Sequence, residues 1–256
     1  MSGMRRMGSV ILGGILIGVL LAGQWYHTKQ YTSVLKQQEP SAVSEEAEHK
    51  TAFLTFDDGP SKLTKQYLEI LDKHQAKATF FLIGQQIEGE MKEIVQREID
   101  GGHEVGIHTY SHESGKIYQS ADSYYKDVCR VRNLLQQEFG YEASFWRFPW
   151  GSANCYICSY KQDIVKRLQD EQMEYVDWNV SAEDSVGNPT SSSILENVRK
   201  DCFRVDNPVI LMHDSGSNQV TLDTLEAVIT MLEEKGYQFA TISEREKTCH
   251  FGEYDE

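Results

Sequence analysis

The chain has 256 residues, a formal charge of −14, and 40% hydrophobic and 11% aromatic residues. That is enough for one large domain or two small ones with a proper core. Such acidity excludes the basic face a nucleic-acid partner needs and disfavours electrostatic docking on anionic membrane surfaces. No basic run beyond the amino terminus offsets it, and nothing in the composition implies an obligate protein partner.

Arg5 and Arg6 precede residues 7–26, a mostly apolar stretch of 20 residues without a charge. That length can span a hydrocarbon core as a helix, and positive charge ahead of it places the amino terminus in the cytoplasm. Residues 1–26 therefore read as a signal-anchor, with Trp25 and Tyr26 at the interface. The expected location is the cell membrane, single-pass, with the rest of the chain outside the cytoplasm. A cleaved signal peptide and a secreted protein are the alternative. Against cleavage, Leu20 spoils the small-x-small pattern before Ala22, and Gln24 stands where a lipidated cysteine would follow Leu21-Ala22-Gly23. Residues 27–49 are polar and aperiodic and read as a stalk.

From residue 50 short apolar runs alternate with amphipathic segments. Strands are expected at 52–56, 78–83, 104–107, 144–148, 175–179, 209–212 and 238–242. Helices are expected at 64–74, 91–100, 121–139, 162–171, 192–200 and 221–235, several ended by glycines (Gly102, Gly140, Gly236). Leu222, Leu225, Val228, Ile229 and Leu232 recur at helical spacing and read as core. Strands separated by helices mean a parallel α/β sheet, open or closed into a barrel. One domain over 50–246 and an acidic tail over 247–256 is the simple division. Cys129, Cys155, Cys158, Cys202 and Cys249 make an odd set. The Cys155–Cys158 pair has redox or metal spacing but lacks the second CxxC of a four-cysteine zinc site.

Two polar runs carry chemistry. Thr55-Phe56-Asp57-Asp58-Gly59-Pro60 puts adjacent carboxylates at the end of the first strand, where neighbouring side chains point to opposite sides and cannot easily share one job. His108-Thr109-Tyr110-Ser111-His112 spaces two imidazoles at i and i+4, which one helical turn would bring onto one face. Two His and one carboxylate are the usual protein share of a hydrolytic zinc site, and a second carboxylate beside them can serve as the base. Arg147 with Pro149-Trp150-Gly151, Asp177-Trp178 and His213-Asp214 also follow or end expected strands. The carboxyl ends of parallel strands gather on one face, where catalytic groups gather too.

Taken together, the runs at 55–60, 108–112, 147–151, 177–178 and 211–213 resemble the five motifs of the polysaccharide deacetylases, the carbohydrate esterase family 4 group built on the NodB-homology domain. Within that group the chain resembles peptidoglycan N-acetylglucosamine deacetylases. The resemblance spans about residue 50 to 242. It implies a distorted, incomplete (β/α) barrel of about seven strands. It implies one divalent metal ion held by Asp58, His108 and His112, zinc first, with cobalt, iron, manganese or nickel as alternatives. It makes Asp57 the general base and His213 the general acid, with Arg147 paired to Asp57 and Asp177 paired to His213. The backbone N–H of Trp150, beside Pro149, would help hold the oxyanion, and Leu211 and Trp178 would wall the acetyl methyl group. The implied reaction is hydrolysis of N-acetyl groups on N-acetylglucosamine of a cell-wall polysaccharide, the acetylated glycan being the partner. O-acetyl esterase action on xylan or another glycan, and chitooligosaccharide deacetylation, remain open. Trp150 departs from the tyrosine or glycine common there and bears on substrate shape. The loop from Asn154 to Tyr160, with its CxxC, follows the third motif as a feature of this branch.

Overall fold

The computed structural model describes residues 50–252; the expected anchor and stalk (1–49) and residues 253–256 lie outside the described residues. Among the described residues no helix is long and apolar enough to cross a membrane. The strands are β1 (Lys50–Gly59), β2 (Ala78–Leu82), β3 (Glu104–Ile107), β4 (Phe145–Trp146), β5 (Glu174–Tyr175), β6 (Val180–Ser181), β7 (Val209–His213) and β8 (Tyr237–Phe239). The helices are α1 (Thr64–Lys73), α2 (Met91–Asp100), α3 (Ser114–Ile117), α4 (Ala121–Phe139), α5 (Lys161–Asp170), α6 (Ser191–Cys202) and α7 (Gln219–Glu233). The longest, α4, starts where the Ser120 side chain accepts the Ser123 N–H and stops at Gly140, whose φ of 63° is the left-handed cap.

The strands run β5-β4-β3-β2-β1-β7-β6, with β8 off this path and paired to the start of β1. Every pairing is parallel. The expected single strand at 175–179 does not exist. It is two short strands, β5 and β6, at opposite ends of a seven-strand path that β8 joins from beside it. This split reveals the curvature. Laid flat, six strand-to-strand steps would separate the ends by roughly 29 Å. Yet the link from Tyr175 to Val180 reaches at most about 18 Å. The sheet must therefore curl, and among the described residues β5 and β6 do not pair, so the barrel stays incomplete.

Curling gives the sheet two unlike faces. Leu54 and Phe56 of β1, Phe80 and Leu82 of β2 and Ile210 and Met212 of β7 point outward into a core shared with the helices. The alternate residues Phe53, Phe81 and Val209 point inward and meet Val176, Ile242 and Cys249 in a small second cluster. Covering on both faces explains why β1 and β7 read as unbroken apolar runs rather than alternating ones. Residues 249–251, assigned from the sequence to a tail, belong to the fold, since the Cys249 carbonyl accepts the Asp177 N–H at 2.7 Å and Cys249 joins the inner cluster.

The inner face is tight. A Cβ placed on Gly106 of β3 would lie 2.5 and 2.6 Å from atoms of the buried Phe81 ring. Gly106→Ala is expected to lower stability by about 1–3 kcal/mol through overpacking, read as a shift in the urea midpoint at constant slope.

Candidate active site

The carboxyl end of β1 sits at the centre of the site. Thr55 and Asp57 pair in register with Leu211 and His213 of β7, so all four share the inward face. Between Asp57 and Gly59 the pairing with β2 shifts register, and Asp58 takes φ 70°. The chain therefore bulges at Asp58 and turns its carboxylate out of the strand's alternation. That bulge is how two adjacent acids come to share one site while facing different partners.

His108 follows β3, and His112 reaches it through a loop, not through the helical turn expected from the i, i+4 spacing. Thr109 and His112 hold φ 66° and 54°, conformations no helix allows. Asp127 of α4 braces the loop by accepting the N–H groups of Tyr110 and Ser111 and the Ser111 hydroxyl. The imidazole centroids end up 5.0 Å apart. Asp58 Oδ1 lies 3.6 Å from His108 Nε2 and 3.4 Å from His112 Nε2.

These three residues fit a divalent metal ion. All three donor atoms lie within 4.8 Å of one another. Tetrahedral bonds of about 2 Å would set such atoms about 3.3 Å apart. Asp58 Oδ1 is buried without a hydrogen-bond partner, an orphan that an ion would satisfy. His108 Nδ1 lies 3.0 Å from the Arg147 carbonyl, which can only accept, so the ring carries its proton there and leaves Nε2 bare. Burial pushes this imidazole down to about 4, against the pull of Asp57, which keeps it neutral and able to ligate.

Asp57 is set up differently. Burial alone would raise its carboxyl, but Arg147, then His108 and His213, outweigh burial and hold it below the usual carboxylate range. Arg147 Nη1 donates to Asp57 Oδ1 at 2.9 Å. The other oxygen, Oδ2, faces the donor set, 3.8 Å from His108 Nε2. An ionised oxygen aimed beside a metal-ligand cluster is the placement a base needs.

His213 ends β7 in register with Asp57, but its partner is not Asp177. Asp184 Oδ1 sits 2.8 Å from His213 Nδ1, while Asp184 Oδ2 accepts the His213 N–H and the Thr221 hydroxyl, each at 2.8 Å. The reason is topological. Asp177 lies ahead of β6, whereas Asp184 lies just past it, and β6 pairs with β7 up to Leu211, so the chain leaving β6 arrives beside His213. Burial works against the His213 cation, yet the hydrogen bond and charge of Asp184, helped by Asp57 and Asp58, push it up to about 9. Asp177 instead accepts the Ser152 N–H, the Ser152 hydroxyl and the Phe251 N–H at 2.9, 2.6 and 3.0 Å, tying the turn after Trp150 to the end of the chain. The pairing of Asp177 with His213 is what the resemblance implies, and Asp184 lies outside its motifs; Glu183-Asp184 after the β-branched Val180 is the available signal. Asp214 adds a second brace, accepting from the hydroxyls of Ser61 and Thr64 and so holding the loop that follows Asp58.

The remaining expected residues border the opening. Trp150 takes φ 64° at the tip of a turn closed by the Gly151 N–H on the Phe148 carbonyl at 2.7 Å. The Pro149 carbonyl accepts the Tyr118 hydroxyl at 2.8 Å. The Trp150 ring lies 5.0 Å from the His112 ring. Trp178 lies 5.6 Å from the Arg147 guanidinium, and Leu211 is 6% exposed on the face it shares with His213.

Comparison with known proteins converges with this geometry. The family model described as polysaccharide deacetylase matches residues 44–175. A Bacillus cereus protein named peptidoglycan-N-acetylglucosamine deacetylase is 33% identical over 77% of this chain and 71% of its own length. A Pseudobutyrivibrio xylanivorans bifunctional xylanase/deacetylase is 33% identical over 76% of this chain and 30% of its own. The catalytic domain of a peptidoglycan N-acetylglucosamine deacetylase from Eubacterium rectale superposes with a TM-score of 0.74 at 28% identity, covering 85% of this chain and all of that one.

Asp184 is open to a direct test. Followed by the NMR shifts of its ring protons, His213 should titrate near 9, and Asp184→Asn should bring the midpoint to roughly 6.5 or lower. Because folding raises this pKa, the stability contributed by the pair is complete below ~6.5 and is lost as pH rises through about 9.

Proposed function

The chain belongs to the polysaccharide deacetylase family and is a hydrolase of acetyl groups on glycans; from that premise we propose that it removes N-acetyl groups from N-acetylglucosamine of cell-wall peptidoglycan in a metal-dependent reaction. The observation that carries the reading is the pairing of an ionised Asp57 oxygen beside the Asp58–His108–His112 donor set with a cationic His213 across the same opening. Asp58, His108 and His112 would hold the ion. A divalent ion there supplies Lewis acidity, polarising the acetyl carbonyl and making water a better nucleophile.

The chain's own groups do the rest. Asp57 Oδ2 takes the proton of the attacking water, with Oδ1 pinned by Arg147 so that the carboxylate neither rotates away nor protonates at neutral pH. The tetrahedral centre then collapses by expelling nitrogen, and an amine leaves poorly unless protonated. His213 donates that proton from Nε2, and Asp184 on Nδ1 keeps the ring charged until it is needed. The backbone N–H of Trp150, at the apex of its turn, is assigned to the developing oxyanion. Leu211 and Trp178 are assigned to the pocket for the acetyl methyl.

Support for peptidoglycan comes from the named Bacillus cereus and Eubacterium rectale relatives and from residues 1–26, which read as an anchor that would hold the domain beside the wall. The xylanase/deacetylase relative keeps the O-acetyl reading in view, since an ester asks less of the acid.

Purified protein should release acetate from N-acetylated wall glycan, and a chelator should abolish release until zinc or another divalent ion is restored. Asp57→Asn should lower kcat roughly 10²–10⁴-fold while stoichiometric zinc, measured by elemental analysis, is retained. Asp58→Ala should lose the zinc as well. Full turnover by Asp57→Asn, or by the chelated protein, would remove the base and metal assignments, and a faster rate on acetylated xylan than on chitooligosaccharide would select the ester.

A further inference from the structure

Outside the reacting centre, Trp150 and Tyr156 are 52% and 53% exposed, large rings left in water at the mouth of the site. They are neighbours, with centroids 5.9 Å apart and planes at 52°. One face of Tyr156 is stacked on Tyr118 at 5.5 Å and 6°. Tyr118 itself is nearly buried, at 8% exposure, so the exposed area of Tyr156 lies on the side away from Tyr118. The Trp150 ring also lies against that of His112 in the donor set, with centroids 5.0 Å apart. The rings therefore step outward from the donor set in the order His112, Trp150, Tyr156.

The ledge is held firmly. Tyr156 sits in the loop that carries Cys155 and Cys158, and its neighbour Ile157 is fully buried as an anchor. The Tyr156 N–H donates to Asn154 Oδ1 at 3.0 Å, and Asn154 Nδ2 donates to the carbonyls of Gly151 and Pro149 at 2.6 and 3.2 Å. The same side chain thus binds the loop to the Trp150 turn. Tyr160 adds a tie, its hydroxyl donating to the Tyr118 carbonyl at 2.6 Å. A hydrophobic ring held exposed by this many hydrogen bonds has not simply failed to pack; it is a pre-organised surface, ordered before any ligand arrives.

We propose that Tyr156, with the outer face of Trp150, is a second sugar-binding subsite, taking the pyranose next along the glycan from the residue being deacetylated. The proposal rests on the reading that the substrate is an N-acetylated glycan. A pyranose has an apolar C–H face and a polar rim, and an aromatic ring offers it a flat apolar surface while leaving the rim in water. Continuity with the donor set argues for a sugar of the same chain, since a ligand that places its acetamide beside His112 extends its next unit across Trp150. The flanking loop sequence makes Tyr156 a specificity residue of this chain, acting on substrate length rather than on bond cleavage.

The test measures kcat/KM for acetate release from the dimer and the tetramer of N-acetylglucosamine, with the zinc-loaded unaltered protein, Tyr156→Ala and Tyr156→Phe. A lost stacking contact corresponds to a drop of about three- to tenfold in the tetramer-to-dimer ratio for Tyr156→Ala, with the ratio restored in Tyr156→Phe. An equal loss on both lengths would make Tyr156 only a support for Tyr118 and would overturn the subsite, as would an unchanged ratio. Tryptophan-fluorescence titration with the same two oligomers separates this from the reaction itself. If affinity rises with length and Tyr156→Ala removes the rise, the subsite stands even where no acetate is released and the proposed reaction fails. If affinity does not rise with length in the unaltered protein, the subsite is overturned whatever the turnover shows.

Discussion

The site depends on a guanidinium with no access to water. Arg147 is 0% exposed, and its nitrogens donate to Asp57, to the Thr55 hydroxyl and to the carbonyls of Val176 and Asp177. A buried cation with an incomplete set of partners would cost several kcal/mol, so each of these groups is constrained to stay where it is. They come from β1 and from the link between β5 and β6, while Arg147 itself follows β4. One side chain therefore pins the two ends of a curled sheet against its central strand, which closure into a full barrel would otherwise have done. The backbone of the same residue fixes the tautomer of His108. Sheet curvature, the ionisation of Asp57 and the tautomer of His108 all trace to this position.

Around that hub the backbone is held in unusual conformations. Asp58, Thr109, His112 and Trp150 all have positive φ without being glycine. Each costs of order 1 kcal/mol or more and persists only where surroundings over-determine it. The surroundings are specific: Asp214 on the loop after Asp58, Asp127 on the histidine loop, Tyr118 and Asn154 on the Trp150 turn. Carboxylates and amides that touch no reacting group thus keep the reacting groups in place.

Most of the outward architecture was legible because it rests on signals that sequence carries well. Apolar runs flanked by amphipathic helices gave the parallel sheet, and the buried stripe of α7 at Leu222, Leu225, Val228, Ile229 and Leu232 gave its packing face. What failed had no periodicity to read. Strands β5 and β6 have two residues each, too short for alternation, and the pairing of Asp177 with His213 came from the resemblance, whereas Asp184 holds that imidazole. The i, i+4 spacing of His108 and His112 suggested a helix, whereas Asp127, distant in sequence, enforces a loop. Arg147 was assigned to Asp57 by resemblance alone, and its contacts with three other groups depend on curvature that local sequence does not encode.

The two titrating groups face each other with opposite displacements, and this bears on which bond the site is built to break. Asp57 and His213 occupy paired positions on adjacent strands, one held below its usual range by Arg147, the other pushed up to about 9 by Asp184. Each also favours the charged form of the other, so the ion pair is self-consistent across neutral pH. Environments that drive two groups apart in this way suit one to act as a base and the other as an acid. An alkoxide can depart from an ester with little help, and a strongly held proton opposite the base would be of small use there. An amine cannot leave without one. The carboxylate buried behind His213, fixed by three hydrogen bonds, holds such a proton opposite Asp57, which suits the harder leaving group of the proposed reaction.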